Sequence, residues 1–210
     1  MFLDKKATSV IEAIVVLLIV ITWIIWMFQV FWNSQKLSAS TANKIQAIQI
    51  AREWIEAMKN IRDTNWILYS SDTKNCWNIL NYKNSCVWEN STTNDILAWS
   101  YKIYQDNKHR WHLESKTAYT DKYKNSWYRD NFKIWLDSDG FYTQSLAVKE
   151  IKPLFTREIV INYIEDTNWD WNIDSNDEKM EVDSIVYWKD LSSSRPHKVE
   201  FKAILTNWKK

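Results

Sequence analysis

The chain has 210 residues, 46% of them hydrophobic, and its 27 basic and 26 acidic side chains leave a formal charge of +1. A balance that close to zero, with no block of like charge, speaks against nucleic acid as a partner. The length allows one membrane segment and one domain with a core of its own.

Residues 13–32 carry no charge, and about twenty residues at ~1.5 Å of helical rise each span a ~30 Å hydrocarbon layer. The run is longer than the core of a cleaved secretory signal and continues into helix-forming sequence at 35–51, so it reads as a membrane anchor. Lys5 and Lys6 precede it and keep the short leader inside, which places the rest of the chain outside. One acid, Glu12, stands at its mouth. An ionisable group beside an apolar span is costly unless something satisfies it, and so points to a specific partner.

The order Lys5-Lys6-Ala7, then Thr8-Ser9-Val10-Ile11-Glu12, then the apolar run, resembles the N-terminus of type IV prepilins and pseudopilins. In that family a short basic leader is removed and an acid stands fifth in the mature chain. The resemblance implies a cut between Ala7 and Thr8, with Glu12 as the fifth residue. It also implies a prepilin peptidase, an assembly platform, and a homo- or hetero-polymer with other pilin-like subunits. Ala7 stands where the family normally has Gly, and Thr8 where it often has a large apolar residue. Physically, the new α-amine of Thr8 is a cation at the membrane edge, which Glu12 of a neighbouring copy can neutralise as subunits stack. An ordinary signal anchor is the alternative.

Beyond the anchor half at 8–33, residues 34–65 read as the amphipathic half of the same helix. Ile45, Ile48, Ala51, Ile55, Met58 and Ile61 recur at spacings of three and four and fall on one stripe. The run 51–66 is also similar to the helix end of prepilin-like proteins from uncultured bacterial lineages, in which Trp54 would correspond to Gly. The head occupies 66–210. Its first part, 67–95, is polar and turn-rich and reads as a surface excursion, within which Cys76 and Cys86 form the expected disulfide of an exported domain. The rest alternates as strands at 99–104, 132–136, 141–147, 156–164, 180–188 and 198–205, with Asp137-Ser138-Asp139-Gly140 as a hairpin turn. The expected fold class is α+β, a long N-terminal helix packed on an antiparallel β-sheet head.

The segment 166–177 holds the strongest chemical pattern. Asp166, Asn168, Asp170, Asp174 and Asp177 fall at positions 1, 3, 5, 9 and 12 of an EF-hand-like loop, with Asn172 offering its backbone carbonyl at position 7. Hard oxygen donors at that spacing wrap one Ca²⁺, and the strand-like flanks imply a calcium-clamped loop and not a pair of EF helices. An acidic solvated hairpin is the alternative. Position 6, where the sharp turn needs Gly, is written Trp171.

That misfit belongs to a wider anomaly, because 15 Trp accompany a single Gly, Gly140, where roughly fifteen Gly are ordinary. Trp169 and Trp171 sit where Asn-Gly and Asp-Gly turns would sit, and Trp77 and Trp127 lie in polar loop sequence. Some bacteria read UGA as glycine, so a table that reads it as Trp would write Trp for Gly throughout. Trp66, Trp188 and Trp208 read as authentic, since each follows or ends a patterned apolar segment. The alternative is a Trp-rich surface of the carbohydrate-binding or membrane-interface kind.

No nucleophile motif, phosphate loop or dinucleotide fingerprint is present, so the reading is not an enzyme. His109, His112 and His197 are scattered and read as surface residues, and Asp137 and Asp139 read as a turn. Tyr101, Tyr104, Tyr119, Tyr123 and Tyr128 read as strand packing. The function expected is a structural subunit of a type IV pilus or type II secretion-like pseudopilus. The rival is a monomeric membrane-tethered module whose head binds glycan or protein.

Overall fold

The computed structural model describes residues 4–82, 86, 95–106, 108–116, 131–136, 142–144, 155–165, 178–190 and 195–207. They form two compact units, Met1–Asn43 and Lys44–Lys210. The first helix, α1, runs Asp4–Leu68 over 65 residues and contributes to both. In the first unit every large hydrophobic side chain from Val10 to Trp32 is exposed, and the helix there is long and apolar enough to cross a membrane. Its one hydroxyl in the middle of the run is satisfied internally, since Thr22 Oγ1 donates to Ile19 O at 2.7 Å.

In the second unit α1 is amphipathic, as the spacing requires. Ala47, Ile50, Ala51, Trp54, Ile55, Ala57, Met58, Ile61 and Trp66 are buried. The stripe starts two residues later than expected, for Ile45 is exposed and Ile48 only half-buried. Small Ala at 47, 51 and 57 lets the helix approach the sheet.

The sheet has five strands in the order β2-β1-β5-β6-β7, all antiparallel, from β1 (Ser100–Gln105), β2 (Trp111–Lys116), β5 (Phe155–Tyr163), β6 (Lys179–Trp188) and β7 (His197–Thr206). β3 (Trp135–Leu136) and β4 (Tyr142–Thr143) form a separate two-stranded ladder, much shorter than the runs expected there. The turn 137–140 between them lies outside the described residues. The architecture is therefore α+β, with α1 packed on an antiparallel sheet, and it is pilin-like.

Position in the sheet decides the burial pattern. β5 is central, and from Phe155 to Ile159 both faces are buried. β7 is an edge strand with strict alternation, and Lys198, Glu200 and Lys202 on its wet face disfavour pairing with another chain. On its other face Phe201 is only partly covered, and Arg52 of α1 lies over its ring at 5.6 Å. The core runs as two clusters along α1. One joins Ala47, Ile50 and Ala51 to Ile134, Phe155, Val186 and Trp188, and the larger joins Met58, Ile61 and Trp66 to Ile103, Leu113, Ile159, Ile161 and Val182.

Two expectations are corrected. The described part of 67–95 is no surface excursion: a short helix α2 (Thr73–Cys76) and a 3₁₀ turn (Leu80–Tyr82) carry Cys76, Trp77, Asn78 and Ile79 into the interior. Trp77, read as lying in polar loop sequence, is buried in the main core. Buried asparagines make this possible by meeting the main-chain groups that such a segment brings inside. Asn65 of α1 donates from Nδ2 to Trp77 O at 3.2 Å and Ile79 O at 3.1 Å.

Candidate functional site

Ala7, Thr8 and Glu12 all lie within α1, and the Glu12 side chain is exposed where the apolar run begins. These residues share one helix end. A copy of the chain therefore brings one carboxylate to the start of a stretch of uncovered apolar surface.

The calcium-type loop, with Asp166, Asn168, Asp170, Asn172, Asp174 and Asp177, lies outside the described residues. Its flanks are described: β5 and β6 pair as far as Tyr163↔Met180, and Ile164 N donates to Lys179 O at 3.4 Å. Glu165 and Lys179 form an ion pair just beyond. The segment is thus the link between two paired strands, flanked as expected by strands and not helices. Among the described residues, no group of three or more His, Cys, Asp or Glu side chains is arranged to hold a metal ion.

Cys76 and Cys86 are joined as expected, with Cα atoms 5.4 Å apart, and pack against Tyr69 and Ile79. Three polar side chains lock this closure to the end of the head remote from Trp188. Tyr163 Oη donates to Ile96 O at 2.6 Å and accepts from Asn78 Nδ2 at 2.9 Å. Asn207 accepts from Trp66 Nε1 at 3.2 Å and donates to Thr73 O at 3.3 Å. The last strand, the disulfide segment and the end of α1 are therefore held by the same hydrogen bonds.

Two histidines read as plain surface residues in fact sit beside carboxylates. His197 Nε2 lies 3.3 Å from Asp190, and its ring stacks on Trp188. His112 lies 3.0 Å from Asp106, stacks on Tyr104 and meets Tyr82 edge-on. The Asp106 carboxylate gathers the β1–β2 turn. It accepts from the backbone N–H of Lys108 at 2.8 Å and of Arg110 at 3.0 Å, and from the Arg110 guanidinium, which also lies over the Tyr82 ring. Sequence alone missed this cluster because its members are spread over 82–112. Asp followed two and four residues later by the N–H groups it binds is the one local signal. Of the tyrosines, Tyr101 is buried strand packing as expected, with Oη donating to Leu97 O at 3.1 Å. Tyr119, Tyr123 and Tyr128 lie outside the described residues.

The outer face of the sheet carries a charged row in which Lys202 reaches Glu181 and Asp183, each at 3.1 Å. Burial pushes the Asp183 carboxyl up, and Lys202 opposes that shift. The chain matches no protein-family model, no curated protein and no solved structure.

Asp106 gives this cluster a pH dependence of known sign. The Arg110 backbone N–H, then His112, the Arg110 guanidinium and the Lys108 N–H, hold its carboxyl well below the usual range. A depressed folded-state pKa means that the stabilisation is complete above the unfolded value of about 3.9 and is lost as pH falls towards the folded one. Between pH 5 and pH 2 the melting temperature of the wild type should therefore fall more steeply than that of Asp106→Asn. Parallel acid limbs in thermal melts would contradict this assignment.

Proposed function

We propose that this chain is a structural subunit of a type IV pilus or a type II secretion-like pseudopilus, made as a membrane-anchored precursor and cut between Ala7 and Thr8. One observation carries the reading: the apolar side chains of α1 from Val10 onward have no cover within the protein, whereas the same helix from Ala47 onward is the spine of a folded head. Lipid covers the first stretch in the precursor, and copies of that stretch cover one another in the filament. Glu12 sets the register by neutralising the Thr8 amine of the next copy. The disulfide and the single apolar span fit a head outside the cytoplasm, on a single-pass membrane protein that ends at the cell surface. A prepilin peptidase and an assembly platform complete the system, and no catalytic role is assigned to the head.

Two further readings belong to the same proposal. Asp166, Asn168, Asp170, Asn172, Asp174 and Asp177 hold one Ca²⁺ between β5 and β6. Many of the written Trp are Gly in the organism's own code, which supplies the Gly that the loop needs at 171. The rival, a monomeric tethered module, has one observation in its favour: Tyr82, Tyr104, Arg110 and His112 gather aromatic and charged groups at one edge of the sheet, as a glycan site does.

Assembly and folding separate in the Glu12→Ala variant. Its head should melt as the wild type does, while the amount recovered in sheared surface fibres drops to background. Normal incorporation would remove the role given to Glu12. For the metal, chelation should lower the melting temperature of the full-length protein in detergent, and calcium should restore it. Superimposable melts with and without chelator would strike out the site.

A further inference from the structure

The least expected group in the core is Arg157. It lies on the central strand β5, opposite Val186 and between Phe155 and Ile159 on the face that meets α1, and it is completely buried. Its main chain is well served, since Gln144 donates to Arg157 O at 2.7 Å. Its side chain is not. Among the described residues none of its three guanidinium nitrogens has a hydrogen-bond partner, and the guanidinium faces the ring of Trp54, whose own Nε1 is likewise buried without a partner. A guanidinium offers five donors and an indole one, and among the described residues neither group's N–H has an N or O acceptor. The indole face attracts the cation, but it meets none of the in-plane guanidinium N–H groups, and each of those, like the indole N–H, carries its desolvation cost in the core.

The charge that does act on Arg157 is its neighbour on the helix. The field of Glu53 opposes the loss of the Arg157 proton, and Arg157 in turn opposes the rise that burial imposes on the Glu53 carboxyl. The next residue, Trp54, is the one whose ring the guanidinium meets.

We infer that position 54 is a docking slot for Arg157, occupied by an indole in the written chain, and that with glycine there Arg157 seats against the backbone of α1 and pairs with Glu53 to rivet the sheet to the helix. Glycine has no Cβ, so another side chain can approach the main chain at van der Waals distance, and helix carbonyls keep a second lone pair for such a donor. The same approach requires a small residue where the central strand crosses the helix, and Ala47, Ala51 and Ala57 are the other small residues on this buried stripe. The inference deepens the glycine reading proposed above by naming the place where packing demands it, yet its test does not depend on the genetic code.

The experiment is a set of thermal melts on the full-length protein in detergent. Emptying an ordinary core position of an indole lowers stability substantially. Here Trp54→Gly should instead raise the melting temperature, by ~5 °C. Adding Arg157→Met, or separately Glu53→Gln, to the glycine variant should abolish that gain. A lower melting temperature for Trp54→Gly, or failure of that variant to fold, would overturn the inference. A gain that survives both second substitutions would overturn the ion pair. Reading the codon for residue 54 separates the two proposals: UGG removes the genetic-code reading, and the melts still decide the slot.

Discussion

The uncovered apolar surface of α1 is the constraint on which the rest of the structure depends. Each large apolar side chain left in water forgoes ~1.5 to 3 kcal/mol. Val10, Ile11, Leu17, Ile24, Phe28 and Trp32 are only part of the exposed set. The sum runs to tens of kcal/mol, more than the entire stability of a typical domain. No rearrangement of the head offsets a term of that size, and in the proposed function lipid, then other apolar helices, cover the segment. In the proposed filament the exposed Glu12 at its start is the matching element, since a carboxylate at an apolar contact is costly unless it meets a cation.

The head solves a different problem with the same helix. From Ala47 onward α1 gains its cover from the sheet, and the two core clusters divide its length between β5–β6 at one end and β1, β2, β5 and β6 at the other. Polar side chains finish the distal end. Asn65, Asn78, Tyr163 and Asn207 bring main-chain groups of the disulfide segment under hydrogen bonds, so the closure at Cys76 and Cys86 is part of the core. Arg157 is the exception, a buried cation set over an indole face with no N or O acceptor for its guanidinium among the described residues.

Much of this was legible in the residues, for physical reasons. Period-3.6 and period-2 burial are strong signals where one face is buried and the other wet, which is why the edge strand β7 emerges within one residue of its bounds and α1 within four. The central strand was read at 156–164 among the alternating segments, although Arg157 and Glu158 break the alternation, because burial on both faces weakens alternation as a guide. β2 went unseen. Its six residues mix Trp111 and Leu113 with His112 and Glu114, and its turn has no Gly; His109 takes the left-handed conformation at φ 57° instead. The segment after α1 was misread because its polar composition looked solvated, and the asparagines that permit its burial act across long sequence separations. The site fared similarly. The residues proposed on α1 are neighbours in sequence, whereas the Asp106 and Asp190 clusters exist only once the strands are paired.

The Trp counts show how composition and structure test each other. Trp66, Trp77 and Trp188 lie in the core, and Trp66 also finds an acceptor in Asn207, so burial alone does not separate an authentic indole from a written one. Hydrogen-bond satisfaction does not separate them either, since among the described residues the Nε1 of Trp188 as well as that of Trp54 is buried without a partner; what singles out Trp54 is its encounter with the Arg157 guanidinium.

The central claim is that the apolar half of α1 polymerises after its leader is removed. The most direct measurement is mass spectrometry of the N-terminal peptide from the native protein, taken both from sheared surface material and from membranes. The account predicts that the surface material begins at Thr8. A chain that begins at Met1 throughout and is confined to the membrane fraction would contradict it.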